Sequence, residues 1–506
     1  MTNLRTMLEA AAKRYGKKTA VAMGERRLSY AQLDEAANKV ANALLGMGVK
    51  KGERVAMLLA NSPEFAAIYF GVVKIGGIAV PLDTKYKLAE LVSLFNDSQP
   101  RVLVAESPLL AQVVPALGGV KSIVGVIEVG SEYKGQFPSY QEIMATSPSE
   151  LAAVALEDED TAHIAYTSGP SFSPRGVVMS HQALVREAAI SGDGFKQTDK
   201  DIVVLFALPM HHAFGLVVIL MTAIIKGSTV VMLDGLSINS LLEVIEREKA
   251  TMFMAVPFVH ALIVNAVETE GTHHDLSSLR VWGTAGAAMP ADIWRKIKQH
   301  LGLSAVDFWG MTESAAHVTC QPPDGAGKPG SVGKALPGWE LRIVDDNGRE
   351  LPPNQVGEVV VRGPIMKGYY NNPQATAQII RDGWLHTSDL GKLDEEGWLF
   401  LVAGRKKDMF IAKGQNIYPG DIEQVLASHP KVAEVVVVGV PDEIRGEAPR
   451  AFIRLKAGEV ATEPEIKRFC LERLANYKVP KEFIFADSLP KTAEGKIDKK
   501  SLRGDK

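Results

Sequence analysis

The sequence predicts an α/β protein, with a large multi-layered α/β domain over residues 1–403 followed by a small α+β domain over residues 408–506. Three observations carry this. Strand-helix-strand units recur through the first part of the chain, which implies parallel strands. Apolar runs of strand length return there at helix-length intervals. After Val402 the texture changes: Gly404-Arg-Lys-Lys-Asp408 is a polar, charged bridge, and a shorter set of elements follows it.

In chain order, residues 1–16 (MTNLRTMLEAAAKRYG) scatter charges among apolar residues and read as a helix rather than a secretory leader. Ser29-Tyr-Ala-Gln32 is a capping-box pattern opening a helix that runs to Leu45 and stops at Gly46 and Gly48. Arg54 to Ala60 is an apolar strand, Asn61-Ser62-Pro63 supplies a cap and a first-turn proline, and Gly76-Gly77 ends that helix before the strand Ile78 to Pro81. Further strands are expected at Val102–Ala105, His163–Tyr166, Val203–Ala207, Ser228–Met232 and Leu279–Trp282. The run Ala213–Ile225 falls short of the ~20 residues that cross a bilayer and reads as a buried helix. In the small domain we expect a helix from about Pro419, a strand at Val435–Val438 and a helix over Glu463–Ala475.

Composition narrows the function classes. At 46% hydrophobic and 23% charged residues the chain is that of an ordinary folded protein. A net charge of -3 gives nucleic acid no electrostatic support, and no integral membrane segment is expected. Two cysteines, Cys320 and Cys470, fit a reducing, cytoplasmic setting. The pairs His211-His212 and His273-His274 lack the i, i+4 spacing of a helical zinc site.

Three stretches carry candidate chemistry. Residues 166–181, YTSGPSFSPRGVVMSH, run from a strand into a loop where Thr167, Ser168 and Ser171 offer hydroxyls, Gly169 and Gly176 permit tight turns, and Arg175 supplies a cation suited to phosphate oxygens. Asp307-Phe-Trp-Gly-Met-Thr-Glu313 brings together an aromatic plane in Trp309, a hydroxyl in Thr312 and a carboxylate in Glu313 able to hold a hard cation. Asp382-Gly-Trp-Leu-His-Thr-Ser-Asp389 ends in a carboxylate able to accept two hydroxyls of a ribose. Taken singly, each reads at least as well as an ordinary connection, a strand end or a turn.

Their order along the chain changes the balance. From about Leu28 to Leu502 the sequence resembles the adenylate-forming superfamily of acyl-CoA synthetases, 4-coumarate-CoA ligases, luciferases and peptide-synthetase adenylation domains. The resemblance is strongest in GEVVVRGPIMKGYYNNPQAT (Gly357 to Thr376), DGWLHTSDLG (Asp382 to Gly391), GRKKDMFIAKGQNIYPGDIE (Gly404 to Glu423) and LPKTAEGKIDKKSLR (Leu489 to Arg503). It implies that the 167–176 loop wraps the β- and γ-phosphates of ATP, that Gly286, Ala287 and Trp309 enclose adenine, that Gly310 and Met311 belong to the nucleotide site, and that Thr312 meets the α-phosphate. It further implies Glu313 on Mg2+, Asp389 and Arg405 on the ribose, Lys496 at the reacting carboxylate and α-phosphate, and His212 at the acyl pocket. Residues 404–407 would be a hinge centred on Lys407, about which a mobile lid presents first Lys496 and then Gly414 and Gln415 for thiol attack.

The implied activity is an ATP-dependent acyl-CoA ligase using a carboxylic acid, ATP and coenzyme A. The apolar stretches Met210–Leu216, Val256–His260, Trp282–Met289 and Trp309–Ala316 favour an aliphatic or aryl acid. A homodimer is one assembly the reading allows. The chain also departs from the family pattern: Pro170, Ser171, Phe172 and Arg175 stand where a hydroxyl residue, Thr, Gly and Lys are usual, and Ser388 where Gly is usual. Proline removes a backbone donor, and Phe172 costs ~1–3 kcal/mol if its position demands a positive φ. Two other classes therefore stay open: a non-catalytic nucleotide- or acyl-binding homologue, and an acyl-AMP ligase that loads a carrier protein.

Overall fold

The computed structural model describes the chain except residues 1, 131, 133–135, 152–153, 168–174, 234, 236, 272–273, 288, 406–409, 413–414, 443–445, 491–498 and 504–506. Local chemistry sets the first elements as expected. Asn3 caps the helix Leu4–Tyr15, and Ser29 and Gln32 close a reciprocal capping box on the helix Tyr30–Gly46. Ser62 caps Pro63–Lys74, which crosses from the strand Arg54–Leu58 to its parallel partner Ile78–Pro81.

The chain divides into two units. The larger comprises Met1–Thr84, Ser98–Tyr166 and Gly176–Lys406; the smaller takes Lys85–Asp97, Thr167–Arg175 and Lys407–Lys506. The smaller unit thus draws on two segments that lie well before residue 404.

Among the described residues, the larger unit is built on three sheets. A seven-stranded sheet runs, in spatial order, through Gly368–Tyr369, Arg175–Ser180, Thr161–Thr167, Ile78–Pro81, Arg54–Leu58, Val102–Glu106 and Gly125–Val129. A nine-stranded sheet has at its centre the consecutive parallel strands Ala305–Trp309, Val281–Thr284, Met252–Ala255, Ile202–Leu205 and Thr229–Met232. The third sheet is antiparallel and contains Gly357–Arg362, Trp384–Leu393 and Leu399–Arg405. One continuous apolar core joins the layers.

The expected buried helix after Ala213 differs in its winding. Phe214–Met221 is a π-helix, entirely buried, and only Thr222–Lys226 returns to α geometry. The wide turn leaves carbonyls displaced from their usual partners, and Thr222 Oγ1 donates to Val217 O at 2.9 Å to satisfy one of them.

The smaller unit places the helices Pro419–Ala427 and Glu463–Leu471 with a sheet of Gln415–Ile417, Phe410–Ala412, Gly446–Leu455, Val432–Asp442 and Glu482–Phe485. The second helix ends before Ala475, where the chain turns through bonds from Arg473 N and Leu474 N to Cys470 O. At its centre lies a buried ionic cluster. Lys478 Nζ donates to Glu90 Oε1 at 2.9 Å and to Asp421 Oδ2 at 3.2 Å, while Glu90 Oε2 accepts from Ala475 N at 3.1 Å. All three charged side chains are essentially closed to water. Removing a buried cation leaves its carboxylates uncompensated, which costs about 3–5 kcal/mol. Lys478→Met should therefore lower the urea midpoint of the smaller unit, followed by amide exchange in Gly446–Leu455. An unchanged midpoint would contradict this assignment.

Candidate active site

Parallel strands that run the same way present their carboxyl ends along one edge, where open α/β sheets take ligands. The register Ala255↔Thr284↔Asp307 aligns the ends of three such strands, and Ile202–Leu205 pairs beside them. Past this edge the chain places His212 after Ile202–Leu205, Gly286 and Ala287 after Val281–Thr284, and Thr312 and Glu313 after Ala305–Trp309. Residues far apart in sequence thus converge on one rim.

The turn after Trp309 is tightly specified. A side chain at Gly310 would put its Cβ 2.1 Å from Ala316 O, so the position accepts glycine alone. Met311 N donates to Ser314 Oγ at 3.0 Å, Thr312–Ser314 forms a 3-10 turn, and Ala315 and Ala316 close it at φ +53° and +93°. This conformation turns Glu313 inward, where it is buried. Tyr369 Oη donates to Glu313 Oε1 at 2.7 Å, and Met366 N donates to Glu313 O at 2.8 Å.

A second convergence joins two motifs distant in the chain. Trp309 Nε1 donates to Asp389 Oδ2 at 3.0 Å, and both side chains are buried. Asp389 sits in a bulged stretch of the strand Trp384–Leu393. Its N–H donates to Thr387 Oγ1 at 3.1 Å, and its backbone pairs with that of Arg405. Ser388 lies at φ +64°, with its N–H on Glu358 Oε1 at 3.0 Å. That left-handed backbone is why glycine suits this place in the family pattern, and a serine there carries about 1–2 kcal/mol of strain.

Burial tunes the titratable groups nearby. Desolvation raises the Asp307 carboxyl to about 7, opposed by hydrogen bonds from the Trp294 side chain and the Phe308 backbone. His212 has an exposed side chain, yet desolvation, with His211 adding to it and Asp83 opposing, pulls its pKa to about 4. The imidazole is therefore neutral at physiological pH.

Other expected site residues belong to the smaller unit or lie outside the described residues. Thr167 and Arg175 end and begin the strands flanking their loop, with Thr167 Oγ1 donating to Arg175 O at 3.5 Å, and Gln415 opens the strand Gln415–Ile417; these three belong to the smaller unit. Ser168, Gly169, Ser171, Gly414 and Lys496, with Pro170, Phe172 and the hinge residue Lys407, lie outside the described residues. The Arg405 backbone pairs with that of Asp389. Sequence reasoning missed Tyr369 and Glu358, whose partners lie 56 and 30 residues away.

The donor set at Glu313 suits a hard cation: one anchored carboxylate beside a threonine hydroxyl is the protein's usual share of a Mg2+ site, substrate phosphates and water supplying the rest. Among the described residues no cluster of three or more His, Cys, Asp or Glu exists that would hold a metal by itself. No helix among them is long and apolar enough to cross a membrane. Cys320 and Cys470 are free and buried.

Comparison with known proteins places this geometry. Residues 8–370 match the AMP-binding enzyme family model, and residues 421–496 match the AMP-binding enzyme C-terminal domain. A long-chain-fatty-acid–CoA ligase of Bacillus subtilis is 33% identical over 530 residues, covering 99% of this chain and 94% of that protein. The indoleacetate–CoA ligase of Aromatoleum aromaticum is 35% identical over 491 residues, covering 96% and 94%. Among solved structures, a double mutant of o-succinylbenzoate CoA synthetase from Bacillus subtilis, bound to a product analogue, superposes with a TM-score of 0.88 at 30% identity, covering 99% of this chain and 98% of that one. With both family models matched and relatives aligned nearly end to end, the chain belongs to the adenylate-forming superfamily of AMP-binding enzymes, as an acid–thiol ligase.

Proposed function

We propose that this ligase activates an aliphatic or aryl carboxylic acid with ATP, releasing pyrophosphate, and then passes the acyl group from its adenylate to coenzyme A. The observation that carries the reading is the Trp309–Asp389 bond at the rim of the sheet. It sets an aromatic face for a base beside a carboxylate for a ribose diol, one residue before the turn that aims Thr312 and Glu313 at the phosphates. Gly286 and Ala287 border the base, and His212 borders the acid.

The chemistry asks for such an arrangement. A carboxylate oxygen attacks the α-phosphorus, the bond to the pyrophosphate oxygen breaks, and a mixed anhydride forms. Negative charge approaches negative charge, so positioned donors and cations set the rate. Thr312 orients the α-phosphate, and Arg175 and Lys496 offset the charge that redistributes during attack. When bound, Mg2+ held by Glu313 neutralises phosphate charge. The 408–506 lid, turning about Lys407, then brings Gly414 and Gln415 to the thiol step in a cytoplasmic, reducing setting.

Carboxylate-dependent exchange of pyrophosphate into ATP, run across acids of graded chain length and aryl acids, tests the first half; CoA-dependent thioester formation tests the second. Exchange with at least one acid and thioester formation support the reading. ATP binding without exchange on any acid would instead favour a non-catalytic binder, as the altered 170–175 loop allows. Exchange followed by transfer only to a carrier-protein thiol would favour the carrier-loading enzyme.

A further inference from the structure

We infer that Asn61 is a positioning residue for the acid-binding side of this site: its amide clamps the Leu208–Met210 turn and thereby sets the imidazole of His212. The inference deepens the ligase reading and rests on it for its kinetic arm. Asn61 lies just past the carboxyl end of the strand Arg54–Leu58 and just before the Ser62 cap of the next helix. Its Nδ2 donates to Leu208 O at 2.8 Å, and its Oδ1 accepts from Met210 N at 2.7 Å. A carbonyl can only accept and an N–H only donate, so the partners fix which way the amide faces. One side chain therefore holds both polar edges of a turn 147 and 149 residues away.

The turn is over-determined around that clamp. Ala207 enters it at φ +57°. A Cβ on Gly215 would stand 2.5 Å from Pro209 O, so the following helix packs directly on the turn's backbone. His212 N donates to Pro209 O at 3.1 Å, and Leu216 N donates to His212 O at 3.0 Å. Phe214 N donates to His212 Nδ1 at 3.4 Å, which makes Nδ1 the acceptor and leaves the ring proton on Nε2. His212 is exposed and thus offers its Nε2–H outward, where it suits a carboxylate or acyl oxygen. Without Asn61 the Leu208 carbonyl and the Met210 N–H lose their partners together, and the ring is no longer held at that angle.

Two variants test this. Asn61→Ala removes both bonds. Asn61→Asp keeps an acceptor for Met210 N and adds negative charge at a helix N-terminus, where it is favourable, but turns an oxygen against Leu208 O. Displacing a positioning group by about an ångström costs up to ~10²-fold in rate. We expect kcat/KM for the acid to fall about 10- to 100-fold in both variants, with the KM for ATP within about twofold and a smaller loss of Tm in Asn61→Asp than in Asn61→Ala. Acid constants that do not change, or acid and ATP constants that fall together in step with Tm, would overturn the inference. The 15N resonances of His212, read on the folded protein without substrate, provide an arm independent of turnover: they should move toward a mixed tautomer in Asn61→Ala. If the wild type activates no acid, the ligase reading alone fails, and unchanged His212 resonances would then overturn the role of Asn61.

Discussion

Glu313→Gln should lower kcat/KM for adenylate formation by about 10²–10³-fold, the usual cost of deleting one preorganised charged group from a reacting phosphate site. The substitution is nearly isosteric. The amide oxygen of the variant would still accept from Tyr369 Oη, and the backbone carbonyl at this position would stay on Met366 N, so the Met311–Ala316 turn has no reason to change. What disappears is the negative charge that holds a hard cation. Activity should then need a much higher Mg2+ concentration, while Tm stays within a degree or so. Tyr369→Phe provides the matching control, because it leaves the charge but frees Oε1, and should give a smaller loss of about 3- to 30-fold. Full activity of Glu313→Gln at low Mg2+ would remove Glu313 from the metal site.

Lys496→Ala should abolish adenylation and spare the second half-reaction. Attack on the α-phosphorus joins two anions, and a cation at that point stabilises the transition state more than the separated substrates. Thioester formation starts from an adenylate in which that charge has already been redistributed. We therefore expect pyrophosphate exchange to fall at least ~10³-fold, with thioester formation from supplied acyl-adenylate within about threefold of wild type. Equal loss of both steps would contradict the division of labour. Lys491, Lys499 and Lys500 lie close by in sequence, and their alanine variants serve as the internal comparison.

Where sequence and structure agree, the signal is local. The capping box at Ser29, the Asn61-Ser62-Pro63 start and the Gly76-Gly77 stop are short-range backbone chemistry, and each element appears at those bounds. The Phe214–Met221 segment shows the limit. Its unbroken apolar run specifies burial but not winding, since every face is equally apolar, while the close approach of Gly215 to the Pro209 backbone is a tertiary contact that no local window contains. Beyond the helix from Glu463, Ala475 N and Lys478 are held by Glu90, far upstream in the chain. No reading of a local window reveals such a partner.

The candidate site divides in the same way. Trp309, Thr312, Glu313 and Asp389 stand in short motifs whose roles the family resemblance implies. Their supports do not. Tyr369 on Glu313, Glu358 on the Ser388 bulge and Asn61 on the His212 turn are ordinary residues made specific by contacts distant in sequence.

A complex of the enzyme with Mg2+ and a non-hydrolysable acyl-adenylate analogue tests the central claim most directly. It should show the Trp309 ring against adenine, Asp389 accepting the ribose hydroxyls, Thr312 at the phosphate position, Glu313 on the cation, and the acyl oxygen facing His212 Nε2. An adenosine bound away from the Trp309–Asp389 pair, with neither Thr312 nor Asp389 within hydrogen-bonding distance of it, would contradict that claim.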